Sequence, residues 1–146
     1  MVTFDLMDAF SIPFILLLGI VTSYSDMKHK KIRNKWIIAS FFYSAFILAV
    51  TSIYVYTKEG MPNLSYYSLF AINILSALFF GVMLWLSGMW SAGDAKLFLA
   101  YSALIPLSTY KWGSIGTFPS FIILINTFTP AFVFFFFKVL ELKRNS

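Results

Sequence analysis

Long apolar runs alternate with short polar joins along this chain. Five apolar stretches stand out, at about Ala9–Tyr24, Trp36–Tyr56, Tyr66–Trp85, Ala95–Tyr110 and Phe118–Phe137. A membrane-spanning helix needs about 20 predominantly apolar residues, with about 17 near the lower limit. The second, third and fifth stretches reach that length. The first and fourth are shorter, and Lys96 stands at the head of the fourth. The pattern predicts an all-α, polytopic bundle of five transmembrane helices. The joins are short, at about residues 25–35, 57–65, 86–94 and 111–117, so one membrane-embedded domain over residues 1–146 is expected. Pro13, Pro106 and Pro130 fall in or at the ends of the runs, where they predict kinks or helix ends.

Composition agrees with a membrane setting. The chain is 60% hydrophobic and 12% charged, against roughly a quarter charged in soluble domains. It has no cysteine, which excludes disulfides, thiolate metal sites and thiol nucleophiles. With His29 as the one histidine, no metal site and no cofactor are expected. The first stretch carries Asp5 and Asp8 where a secretory signal needs positive charge, and no small-x-small cleavage site follows. It reads as a permanent helix.

Charge then sets the orientation. Lys28, Lys30, Lys31, Arg33 and Lys35 lie in the first join, and Lys138, Lys143 and Arg144 follow the fifth run. The joins after runs two and four hold only Lys58 and Lys111. The positive-inside rule therefore predicts a multi-pass cell-membrane protein with its N-terminus outside and its C-terminus in the cytoplasm. Such a basic face suits anionic lipid head groups. The net charge of +5 is then no ground for expecting nucleic acid.

Within this topology two acids fall at the same depth. Asp26 comes two residues after Tyr24, where run one ends, and Asp94 opens run four after the join at about residues 86–94. Both joins lie on the cytoplasmic side. Asp5, Asp8 and Glu59 are placed outside and Glu141 in the tail. Two carboxylates about 3 Å apart cannot both ionise, so they share one proton. The ionised member takes a proton from water while the protonated member polarises a carbonyl, which is aspartic-protease chemistry. Plainer readings exist for each acid. Asp94 could be a helix N-cap, and Asp26 a solvated loop residue with Lys30 four positions on. Against the latter, a negative charge near a helix C-terminus is disfavoured by about 0.3–1 kcal/mol.

At these two places the chain carries a resemblance. "SDMKHKKIRNKW" (25–36) is similar to the first motif of the archaeal type IV prepilin and preflagellin peptidases, and "SAGDAKL" (91–97) to their second, the GxGD signature. The late stretch "PSFIILINTF" (119–128) is similar as well, and the resemblance covers about residues 10–137. It implies a GxGD membrane aspartyl protease that removes the leaders of pilin-like or archaeal flagellin precursors. Its catalytic aspartates would be Asp26 and Asp94, with motif support from Gly93, Ser91 and Asn34. Ser91 stands where the motif has its first glycine, and the family commonly has six helices where five are read here. The bacterial relatives add a cysteine-containing domain and methylate the new N-terminus. Without cysteines here, methyltransferase activity is not expected.

The remaining polar residues read as structural. Asn73 and Asn126 are expected to join helices. Lys96, two positions from Asp94, is expected to point away from it and snorkel to the interface. His29 is expected to be solvated, and Trp36, Trp85, Trp90 and Trp112 to form an interfacial belt. A proton-coupled transporter or channel could use the same acids, but transporters place sites near the midplane between internal repeats. No repeat is visible. A non-catalytic scaffold is the other alternative, and it predicts that the two aspartates stand apart.

Overall fold

The computed structural model describes residues 2–60, 64–107 and 118–144. They form five helices, α1 (Val2–His29), α2 (Asn34–Glu59), α3 (Leu64–Leu86), α4 (Ala92–Leu104) and α5 (Phe121–Arg144). The chain is an all-α, multi-pass membrane bundle. Four of the helices contain stretches long and apolar enough to cross a membrane, at Ala9–His29, Asn34–Lys58, Leu64–Leu86 and Phe121–Lys138. As expected, Pro13 and Pro130 lie inside α1 and α5.

The fourth helix departs from the expected Ala95–Tyr110 span. It has 13 residues, about 20 Å at 1.5 Å per residue, against roughly 30 Å of hydrocarbon. Pro106 explains the stop. Its ring pushes the preceding residue out of the helical region, and Ile105 is extended at φ −76°, ψ 117°. Residues 108–117, including Trp112, lie outside the described part.

This short helix is the centre of the bundle. It packs against α1, α2 and α3. On one side Ala100 and Leu104 join Leu18 of α1 and Ile37 of α2 in a buried cluster. On the other, Phe98 meets Ala77 of α3, Leu124 of α5 and Phe118. The outer helices present side chains such as Ile20, Phe42 and Phe134 outward. In lipid those faces carry no penalty, since acyl chains are as apolar as the side chains.

Helix directions follow from pairs of contacts. Gly19 of α1 faces Tyr101, while Ile32, beyond the end of α1, packs on Gly93. The two helices are therefore antiparallel. Asn34 and Ser44 of α2 bond to Lys96 and to the Ala103 carbonyl, so α2 and α4 run parallel. Gly81 of α3 lies against Ala95, and Asn73 bonds to Ser102, which makes α3 antiparallel to α4.

The same bonds complete the blunt end of α4. A helix leaves its last carbonyls without partners, and Pro106 has no N–H to offer Ser102. Asn73 Nδ2 donates to the Ser102 carbonyl at 3.3 Å, and the Ser44 hydroxyl donates to that of Ala103. Asn73 is fully buried, and its Oδ1 accepts the Ser120 amide at 2.9 Å. It joins helices as expected. Among the described residues Asn126 makes no such bond, and it lies exposed on α5.

Candidate active site

The chain ends of α1 and α4 meet at one end of the bundle. Helix α1 continues past Tyr24 to His29, so Asp26 lies in its last turn rather than in a loop. Its backbone carbonyl accepts the Lys30 amide at 2.7 Å, and Lys30, at φ 49°, closes the helix in the left-handed region. The chain then folds back over the bundle. Ser25 Oγ donates to the Lys31 carbonyl at 2.9 Å. Ile32 comes to rest on Gly93, its Cδ1 3.4 Å from where a β-carbon would sit. Lys96 Nζ donates to Asn34 Oδ1 at 3.1 Å.

Helix α4 begins with a capping box. Ser91 is the N-cap, and its hydroxyl accepts the Asp94 amide at 3.2 Å. Asp94 Oδ2 in turn accepts from the Ser91 amide at 3.0 Å and stands 2.7 Å from Ser91 Oγ. Asp94 is thus the third residue of the helix, not its N-cap. Ser91 takes that place because its extended backbone, at φ −74°, ψ 159°, turns its side chain toward the free amides of the first turn. A carboxylate here also meets the positive end of the helix dipole.

Register ties the two acids together. Gly19 of α1 meets the hydroxyl of Tyr101, whose side chain reaches across from α4. Asp26 lies seven residues after Gly19, and Asp94 seven before Tyr101. Seven residues are close to two turns, about 10.5 Å along each axis. In antiparallel helices these offsets run toward the same end of the bundle. Asp26 and Asp94 therefore lie toward the same end of the bundle. Both are exposed there.

Around them the surface is basic. His29, Lys31, Arg33, Asn34 and Lys35 line an open concavity at the same end. Among the described residues no group of three or more His, Asp or Glu could hold a metal ion. Trp90 stacks on Phe128 at 5.8 Å and meets Phe98 edge-on at 5.5 Å. It is packed between helices, not free in a belt.

Three features of the site escaped the reading of the sequence. One is the Ser91–Asp94 box, which the Ser-x-x-acid spacing signals. The Asn34–Lys96 bond joins residues 62 apart and leaves no local trace. The seat of Ile32 on Gly93 likewise has no signal beyond the glycine.

Comparison with known proteins bears on this arrangement. The model of the type IV leader peptidase family matches residues 13–138. That interval contains α1 from Pro13, all of α2, α3 and α4, and α5 to Lys138. No curated protein and no solved structure matches the chain.

Proposed function

Because this chain belongs to the type IV leader peptidase family and is by that membership a membrane peptidase, we propose that it is an aspartic endopeptidase. It removes the short leader of pilin-like or archaeal flagellin precursors at the cytoplasmic face of the membrane. Asp26 and Asp94 form the catalytic pair in a single membrane-embedded domain. What supports this reading is that both acids lie toward one end of the bundle, where Ile32, six residues after Asp26, packs on Gly93 beside Asp94.

The chemistry follows from one proton shared between two carboxyl groups. A water held between them loses a proton to the ionised member and attacks the scissile carbonyl. The protonated member donates to the carbonyl oxygen. When the tetrahedral intermediate collapses, the C–N bond breaks and the departing amine takes a proton from the pair. Water, two carboxyl groups and the substrate are sufficient for the step.

The substrate is a basic leader followed by an apolar helix. That helix lies in the bilayer beside the bundle, and its first turn unwinds into the water at the end where the aspartates sit. Cleavage requires such water, because backbone cannot be opened in hydrocarbon. The basic surface from Lys28 to Lys35 faces the cytoplasm and anionic lipid head groups.

The test is cleavage of a pilin-like precursor by the purified chain in proteoliposomes. Asp26→Asn and Asp94→Asn should each reduce cleavage to background, since Asn is nearly isosteric but cannot exchange the proton. The double variant should be no worse than either single one, because groups acting as a unit are not additive. Substantial cleavage by either single variant would sink the pair.

A further inference from the structure

Lys96 is two residues from Asp94, and its side chain reaches the start of α2. Its ammonium bonds to Asn34, the first residue of α2, at 3.1 Å. This is the third of three ties on the loop between α1 and α2. Ser25 Oγ holds the Lys31 carbonyl from the side of α1, one residue from Asp26. Ile32 and Asn34 are held by Gly93 and Lys96 from the side of α4, on either flank of Asp94. The loop therefore has one anchor beside Asp26 and two flanking Asp94.

We propose that Lys96 and Asn34 are a positioning pair, whose bond holds the loop on α4 and so sets the approach of Asp26 to Asp94. The proposal rests on the proteolytic reading for the meaning of that approach. Neither residue touches the reacting atoms in this role. Both are exposed, so the bond adds little to stability and acts through geometry. A loosened loop lets the end of α1, with Asp26, drift from Asp94. Displacements of about 1 Å can cost up to about a hundredfold in rate. A purely structural bond predicts the opposite pattern, with loss of stability and unchanged turnover.

The experiment uses the full chain in proteoliposomes with Lys96→Met, Asn34→Leu and both together. Each single variant should lower kcat by about tenfold while KM stays within about twofold, the signature of lost alignment rather than lost binding. The double variant should match the singles, and Lys96→Arg should recover most of the rate, since its guanidinium reaches the same oxygen. Amide hydrogen exchange over residues 30–34 should quicken in both singles with the melting temperature unchanged. Unaltered exchange would overturn the latch. Faster exchange with unaltered kcat would overturn its service to the aspartates, as would losses that multiply in the double variant. A parent chain inert toward every precursor would defeat the proteolytic reading, and the exchange measurement would still decide the latch.

Discussion

The hydroxyl of Tyr101 on α4 stands 3.1 Å from the point that a β-carbon on Gly19 of α1 would occupy. That distance is tighter than ordinary van der Waals contact, so the end of the Tyr101 side chain rests directly on α1 at Gly19. Alanine is intrinsically better than glycine within a helix by about 0.5–1 kcal/mol, whereas crowding a packed contact costs about 1–3 kcal/mol. Gly19→Ala alone should therefore be neutral or destabilising. In a Tyr101→Phe background, where the crowding oxygen is gone, the same change should stabilise by about 0.5–1 kcal/mol. Thermal unfolding in detergent measures both. Equal effects in the two backgrounds would mean that α1 and α4 do not meet there.

The capping box makes Ser91 a second point of test. Ser91→Ala removes the hydroxyl that serves the Asp94 amide and should lower stability by about 1 kcal/mol, while Ser91→Gly should cost only a few tenths. Glycine is also the residue that the GxGD motif has at this place, so Ser91→Gly should keep most of the cleavage. Unfolding and turnover of both variants check this. A loss in Ser91→Gly as deep as that of Asp94→Asn would give the hydroxyl a part in the chemistry.

At the opposite end of α4, Asn73 supplies the donor that Pro106 cannot. Asn73→Leu keeps the volume and leaves the Ser102 carbonyl without that donor inside the bundle. The expected loss is about 1–3 kcal/mol. A variant as stable as the parent in thermal unfolding would show that the bond between α3 and α4 is dispensable.

Orientation has a direct check, because the chain has no cysteine of its own. A cysteine introduced by Lys31→Cys should resist a membrane-impermeant thiol reagent in intact cells and react once the membrane is opened. The side chain at residue 31 is exposed, so burial would not mask it. Rapid labelling in intact cells would reverse the topology and move both aspartates to the outer face.

Much of this protein is determined by its sequence alone. Long apolar runs, with nearly all charge in the joins and at the ends, leave the backbone no way to satisfy its hydrogen bonds in lipid except as helices. Each of the five helices overlaps one of those runs, though α4 stops at Leu104, short of the end of its run, by the local steric effect of Pro106. The two acids are legible too, because charge is scarce and each stands in a short motif. Only the tertiary structure decided how the helices turn toward one another. A helix apolar nearly all round has no face that its sequence marks as inner, and lipid exerts no hydrophobic pull to choose one. So the central place of α4, the contact of Gly19 with Tyr101, the seat of Ile32 on Gly93 and the reach of Lys96 to Asn34 were not to be read from the order of residues. They depend on rotation and register between segments far apart in the chain. Those are settled by close packing of small residues and by a few hydrogen bonds, which form only once the helices have met.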